Sequence, residues 1–430
     1  MFGLTRRTAA VFGAGAALAA ATIVPTAACS SATQNETGTP STTRHATGTS
    51  SATPHRDVSS KPRTTSQRQH SNRPEAAVAP AGTAPGPITA MFRSMTDSQR
   101  VGQLFMASLS SGQSHATINS LIAHQHVGGV ILQGHWNSGT AAVRSATTAL
   151  RGQVNSGSTK NVGLYLAGDQ EGGYIQPFTG PGFSTIPSAR VQGTHSGAWQ
   201  LSSTRTWGAQ LKGAGINVDL APVADTVPPG TADTNAPIGA LRRNFGFTTS
   251  TVSTHVSAFV TGMRDEHVST AVKHFPGLGR VTANTDDVAK VVDSATTSTS
   301  GYLKPFSSGI SAHTAMVMIS LAYYTKIDHT QQAAFSHTVI TDLLRHQLHY
   351  SGVVISDSLA AASAETVSPS NRAIRFLSAG GDIMLQTDDS VIPQMETSVL
   401  HRMATNATFR NQVYASVMRV LTAKHAAGLF

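Results

Sequence analysis

Polar side chains of the kinds used in catalysis follow several short apolar runs of this sequence. They are Asp169, Asp225, Lys273 with His274, Ser320 and Asp357. Carboxylates accept short, strong hydrogen bonds from hydroxyl groups, and they can also act as nucleophiles or proton donors. Any one of them is an ordinary strand-end group. Together they predict a single polar site assembled from the ends of several strands.

The apolar runs are predicted strands, and stretches with helical periodicity separate them. The runs are 127–132, 162–167, 216–223, 270–275, 315–319, 353–355 and 383–385. A first helix is expected to begin at Thr96 or Asp97 and to carry Val101, Leu104 and Phe105 on one face. Alternating strands and helices predict an α/β fold with a parallel sheet, and we favour a single TIM-type (β/α)8 barrel. The strand count alone leaves a doubly wound sheet open.

The segment 273–279 reads Lys-His-Phe-Pro-Gly-Leu-Gly and resembles the Lys-His-Phe-Pro-Gly-x-Gly signature of glycoside hydrolase family 3. Further segments follow the family's order: Val-Gly-Gln-Leu-Phe at 101–105, Asp-Gln-Glu-Gly-Gly at 169–173, Ala-Pro-Val-Ala-Asp at 221–225, Pro-Ile-Gly at 237–239, Arg-Asn-Phe-Gly at 243–246, Phe-Ser at 335–336, Ile-Ser-Asp-Ser-Leu at 355–359 and Ala-Gly-Gly-Asp at 379–382. The resemblance extends from Met91 to Phe430. It is closest in kind to single-domain bacterial β-N-acetylglucosaminidases.

This resemblance implies a role for each matching residue. Asp357 matches the nucleophile of a retaining glycosidase, although a carboxylate there could instead cap a following helix. Lys273, His274 and Asp169 match residues that hold sugar hydroxyls. Arg243 matches a sugar-binding arginine, with Arg242 beside it as an alternative.

The expected acid/base of the family is missing. Relatives carry an Asp-Ser-His triplet on a mobile loop, whereas this chain reads Asn284-Thr285-Asp286, and His274 is the only histidine between 273 and 300. An active enzyme would need Asp286 or Asp287 as its acid. That role requires a carboxyl pKa raised by burial or by another carboxylate.

A second departure lies after the 169–173 segment. Relatives carry arginines where this chain has Tyr174 and Pro177. Contacts to the outer part of the substrate are therefore expected to differ.

Three functions fit these residues. The first is a retaining, exo-acting enzyme that removes β-linked N-acetylglucosamine from cell-wall sugars. The alternatives are a catalytically silent sugar-binding lipoprotein and a β-glucosidase of the same family. We expect no cofactor and no metal, because the chain shows no metal-ligand cluster, phosphate loop or nucleotide fingerprint. We also expect a monomer.

Residues 1–29 have the layout of a secretory signal peptide. Arg6 and Arg7 precede an apolar run over 9–24, and small residues lead to Cys29, the single cysteine of the chain. A cysteine in this place resembles the bacterial lipobox, although Thr26 departs from it, and the arginine pair resembles a twin-arginine signal. We expect Cys29 to be lipidated and the protein to be anchored to the outer face of the cell membrane. An ordinary cleaved signal and a retained short membrane helix are the alternatives.

Residues 30–87 are rich in Ser, Thr, Pro, Gly and Ala, with almost no large apolar residues, so they predict a disordered linker before a barrel domain over 88–430. The formal net charge of +9 comes in large part from single basic residues in this linker. Without a nucleic-acid-binding motif, that charge suits a basic tether near anionic wall polymers or lipids, and we expect no nucleic-acid partner.

Overall fold

The computed structural model describes residues 86–430. The predicted signal peptide, Cys29 and nearly all of the predicted linker lie outside the described residues. The first described helix begins at Gly86, two residues before the predicted start of the barrel domain at 88.

The described chain alternates strands and helices. The strands are β1 (Phe105–Ser110), β2 (Gly129–Gln133), β3 (Tyr165–Gly168), β4 (Val218–Asp219), β5 (Ser269–Phe275), β6 (Val292–Asp293), β7 (Met316–Ile319), β8 (Tyr323–Tyr324), β9 (Asp328–Gln332), β10 (Val353–Ser356) and β11 (Met384–Leu385). The helices are α1 (Gly86–Ser94), α2 (Asp97–Gly102), α3 (Ala116–His124), α4 (Gly139–Arg151), α5 (Ala189–Gln192), α6 (Gly197–Gly213), α7 (Thr249–Asp265), α8 (Lys304–Ser311), a π-helix (Thr338–Gln347), α9 (Pro369–Ser378), α10 (Ile392–Thr405) and α11 (Ala407–Ala426).

Eight parallel strands form the barrel, in the order β10-β7-β5-β4-β3-β2-β1-β11. The two ends of this sheet meet where Ile355 bridges Ile383 and the Ser356 amide donates to the Ile383 carbonyl at 2.9 Å. The predicted (β/α)8 barrel is confirmed. A small sheet of β6, β8 and β9 adds to the loops beyond the barrel strands.

The barrel strands are short and apolar because both of their faces are covered. Every residue of β3, β7 and β10 is buried. Helices pack against the outer face and side chains fill the interior, so these strands read as continuous apolar runs rather than as alternating ones.

The first strand was missed by the sequence prediction, which placed Phe105 in a helix. Thr96 does cap α2, in a capping box with Gln99, but α2 ends at Gly102 and Phe105 opens β1. A Cβ atom at Gly102 would collide with the Gln125 carbonyl, so the chain passes that point only as glycine. The spacing of Val101, Leu104 and Phe105 imitates a helical face, whereas burial in the barrel wall decides the strand.

Within residues 86–430, the longest apolar stretches fall short of a helix that could cross a bilayer.

Candidate active site

Lys273 is the buried centre of the polar site. It lies in β5 with 2% of its side chain exposed, and its Nζ contacts Asp169 Oδ1 at 2.6 Å and Glu171 Oε1 at 2.7 Å. Burial disfavours the charged amine, but the two carboxylates outweigh burial and raise the pKa of Lys273. A permanent cation is therefore held at the carboxyl end of β5.

Arg243 reaches the same cluster through Glu171. Its Nε and Nη2 donate to Glu171 Oε2 at 2.8 Å and Oε1 at 2.7 Å, the two-bond geometry that favours arginine. Burial opposes ionisation of Glu171, yet the charges of Arg243 and Lys273 hold its pKa at about 2. Arg242 is exposed, so the structure places Arg243 in the cluster rather than its neighbour.

Asp225 fixes the ring of His274. The Oδ2 atom of Asp225 lies 2.7 Å from His274 Nδ1, while its Oδ1 accepts from the backbone amides of His274 at 3.2 Å and Leu278 at 2.7 Å. Asp225 is fully buried. The carboxylate therefore turns Nε2 of the imidazole toward the site, where it lies 3.5 Å from Arg243 Nη2.

Asp219 lies beneath this cluster, at the end of β4. One carboxyl oxygen accepts from the Gln170 amide at 2.9 Å, and the other is buried without a hydrogen-bond partner among the described residues. Burial raises the pKa of Asp219 to about 8, and the charges of Asp169 and Glu171 add to the shift. The raised pKa favours the protonated form of Asp219 in the folded protein.

Asp357 directly follows β10 and is half-buried. Its amide donates to the Ile319 carbonyl at the end of β7 at 2.9 Å, and its Oδ1 accepts only from the adjacent Ser358 amide, at 2.8 Å. No helix begins after Asp357 until Pro369 in this part of the chain. The capping alternative for Asp357 therefore has no helix to cap.

Asp286 lies on the loop between β5 and β6 and senses the charge of Asp357. The side chain of Asp286 is exposed to solvent, but the protein packed on its other side raises its pKa, and the Asp357 carboxylate raises it further, whereas His274 and Arg243 oppose the shift. Asp287 is exposed and accepts from Asn284 Nδ2 at 3.1 Å. The Asp286 and Asp357 carboxyl groups are therefore near enough to interact electrostatically.

Backbone bonds tie this loop to the segment that follows Asp357. The Thr285 carbonyl accepts from the Ser363 amide at 3.1 Å and from Ser363 Oγ at 2.9 Å, and the Asp286 carbonyl accepts from the Ala362 amide at 3.3 Å. The Ser363 carbonyl in turn accepts from Gln332 Nε2 at 2.6 Å. We call the set Thr285, Asp286, Ala362, Ser363 and Gln332 the loop clamp. It holds the Asp286 loop in one place beside the mouth of the barrel.

Two residues of the cluster were missed as site residues by the sequence prediction. Glu171 lies inside the quoted 169–173 segment, where only Asp169 was assigned a role. Asp219 lies in the predicted strand 216–223, where a single carboxylate among apolar residues was the available signal. Ser320 does reach a strand end, but its fully buried hydroxyl contacts Tyr324 and Ala322 and so supports the fold.

Across residues 86–430, no group of three or more His, Cys, Asp or Glu side chains is arranged to hold a metal ion. The site instead combines the buried Lys273 and the partly buried Arg243 with the carboxylates that pair with them, and Asp357 and Asp286 lie nearby. A polar site with two further carboxyl groups at the mouth of a (β/α)8 barrel is the arrangement that glycosidases use.

Comparison with known proteins agrees with this class. Residues 96–423 match the model of the glycosyl hydrolase family 3 N-terminal domain, and the chain belongs to that family. It is a glycoside hydrolase that acts on O-glycosyl bonds.

The relatives carry names of the same kind. A solved β-N-acetylhexosaminidase from Beutenbergia cavernae is 42% identical, with a TM-score of 0.76, and the match covers 77% of this chain and 99% of the other. A β-hexosaminidase from Xylella fastidiosa is 30% identical over 57% of this chain and 73% of its own length. A glycosyl hydrolase from Arthroderma benhamiae, described as secreted, is 30% identical over 66% of this chain and 80% of its own.

Proposed function

We propose that this protein is a retaining, exo-acting β-N-acetylglucosaminidase that uses Asp357 as its nucleophile and Asp286 as its acid/base. One observation carries the proposal: the Asp286 loop is hydrogen-bonded to the segment that follows Asp357, which holds a second carboxyl group near the nucleophile. The surrounding protein and the charge of Asp357 both raise the pKa of Asp286, as a proton donor beside a carboxylate nucleophile requires. The loop clamp keeps the two groups together. The solved relative from Beutenbergia cavernae is named a β-N-acetylhexosaminidase, and the relative from Xylella fastidiosa a β-hexosaminidase.

Asp357 would attack the anomeric carbon from the end of β10. The glycosyl–oxygen bond breaks as the ester to Asp357 forms, and the departing oxygen takes the proton of Asp286. Water then attacks the ester and returns its proton to Asp286. The few hydrogen bonds to the Asp357 carboxylate suit this role, because they leave oxygen lone pairs free for attack.

The buried cluster would hold the terminal sugar. Lys273 and His274 Nε2 would make polar contacts with the sugar hydroxyl groups. Asp169, with 30% of its side chain exposed, would accept hydrogen bonds from those hydroxyl groups. Arg243 completes the pocket wall. A neutral amino sugar fits a cluster whose two cations are already balanced by Asp169 and Glu171. We propose N-acetylglucosamine from cell-wall fragments as the substrate.

The acid assignment is tested by leaving-group dependence. A general acid contributes about 10²–10⁴-fold when the departing oxygen is a poor leaving group and little when it leaves unaided. Asp286→Asn should therefore spare an activated nitrophenyl N-acetyl-β-glucosaminide far more than the disaccharide chitobiose. Azide should partly restore the nitrophenyl rate by attacking the glycosyl ester without a general base.

Asp287→Asn is the matched control, since it makes the same chemical change one residue along the exposed loop. Unchanged chitobiose rates in both variants would remove the loop carboxylates from the mechanism. A parallel assay with an aryl β-glucoside separates the amino-sugar specificity from that of a β-glucosidase, and sugar binding without any turnover would favour the silent binder.

Export is part of the proposal. The signal-like layout of residues 1–29 and the secreted relative from Arthroderma benhamiae support it. Lipidation of Cys29 would anchor the enzyme, as a monomer, to the outer face of the cell membrane, and the 30–87 linker would act as a spacer toward the wall.

A further inference from the structure

Tyr174 stands out on the surface of the described chain. It is the only Phe, Tyr or Trp of residues 86–430 that is exposed, with 69% of its surface open to solvent. A single exposed apolar side chain is common in soluble proteins and signifies nothing by itself. The position and the backbone of Tyr174 make it different.

Tyr174 is held on a rigid turn. The amides of Gly172 and Ile175 bond to each other's carbonyls at 3.0 and 3.2 Å, and the Gly173 amide donates to the Ile186 carbonyl at 2.9 Å. Gly172 and Gly173 have φ values of 96° and 62°, and a Cβ at Gly173 would lie 2.7 Å from Ser188 Cβ. The turn therefore packs against 186–188, which fixes the Tyr174 backbone before any ligand arrives.

This turn lies at the mouth of the barrel, next to the cluster of Lys273, Glu171 and Asp169. Tyr174 follows Glu171 by three residues, so their Cα atoms are at most about 11 Å apart along the chain. Glu171 and Lys273 have 4% and 2% of their side chains exposed, so they form the buried part of the site. A solvent-exposed ring within this distance of them is placed to contact a part of the substrate that extends toward solvent.

We infer that Tyr174 is the platform of a second sugar subsite, which binds a pyranose ring of the leaving group beyond the scissile bond. The inference rests on the proposed function. The apolar CH face of a pyranose packs on an aromatic ring, and the phenol hydroxyl adds a polar contact at the edge. Because the turn is already fixed, little conformational entropy is lost on binding.

The subsite separates substrates by length. Tyr174→Ala should lower kcat/KM for chitotriose about tenfold, which corresponds to about 1.4 kcal/mol. The same variant should leave kcat/KM for the nitrophenyl monosaccharide within about twofold, since its small leaving group does not provide a pyranose. Tyr174→Phe should retain most of the chitotriose activity because the ring remains.

Val191→Ala is the matched control, since Val191 is an exposed apolar residue of α5 outside this turn. It should behave as the wild type on both substrates. Equal losses on both substrates in Tyr174→Ala, or no loss on either, would overturn the subsite.

Binding provides a readout that does not need turnover. In an Asp357→Asn background, calorimetry should show that Tyr174→Ala weakens chitotriose about tenfold while N-acetylglucosamine binding is unchanged. A wild-type protein that cleaves no amino-sugar substrate would count against the proposed function. A wild type that cleaves chitotriose as efficiently as the Tyr174→Ala variant would count against the subsite alone.

Discussion

Ser363→Ala tests whether the loop clamp positions Asp286. Ser363 is fully buried, and its Oγ donates to the Thr285 carbonyl at 2.9 Å, one residue before Asp286. The substitution removes this bond but keeps the backbone bond at 3.1 Å, so the carbonyl is not left unpaired. The loss of stability should be about 1 kcal/mol, while the loop gains freedom.

The kinetic effect should exceed the effect on stability. A displacement of about 1 Å at a reacting group can lower the reaction rate up to about 10²-fold. Ser363→Ala removes one bond of the loop clamp and leaves the others, so a smaller effect is expected. We expect chitobiose turnover to fall about 5- to 20-fold. Nitrophenyl substrate turnover should change less than about twofold, because that leaving group needs little help from Asp286.

Ser416→Ala is the control for this experiment. Ser416 is also buried; its Oγ donates to the Gly381 carbonyl at 2.9 Å and accepts from Arg419 Nη2 at 2.9 Å, but it lies on α11, away from the loop clamp. Because two bonds are lost, the melting temperature of Ser416→Ala should fall at least as much as that of Ser363→Ala, with no change in the ratio of the two substrate rates. In an Asp286→Asn background, Ser363→Ala should add nothing further, since the residue it positions is already disabled. An equal loss on both substrates, or an additive loss in the double variant, would refute the positioning role.

Three further predictions follow from the site and from the amino terminus. Asp357→Asn should abolish turnover with the fold intact, because an amide cannot form the glycosyl ester. NMR titration of the same variant should show a lower pKa for Asp286, because the charge of Asp357 contributes to raising it. Residual turnover near the wild-type rate would remove Asp357 from the mechanism. Burial raises the pKa of Asp219 to about 8, so the folded state holds a proton that the unfolded state releases, and stability falls as pH rises from about 4 to about 8. Asp219→Asn should remove this dependence, so the melting temperature of the variant should rise relative to that of the wild type between pH 5 and pH 8. Parallel plots of melting temperature against pH for the two proteins would contradict the pKa shift. Cys29→Ala should release the protein into the medium or leave an unprocessed precursor, as fractionation would show, because stable anchoring depends on the lipid; unchanged membrane retention of a processed protein would argue against lipidation.

Local sequence was sufficient for the repeating architecture. Apolar runs alternating with helical periodicity indicated the barrel, and strand-end residues such as Lys273 and Asp357 marked its mouth. Both features can be recognised in the sequence because a strand that is buried on both faces is continuously apolar, so a polar residue marks the point where the strand ends. β1 was the exception, since Leu104 and Phe105 also fit a helical face.

The tertiary structure decided which charges meet. Nothing in the spacing of Glu171, Arg243 and Lys273 shows that one carboxylate serves both cations, because the three lie far apart along the chain and only barrel closure brings them together. The same holds for Asp286, whose suitability as an acid depends on the protein packed around it and on the charge of Asp357. A side chain's chemistry is set by its neighbours in space, and in a barrel those neighbours come from different strands.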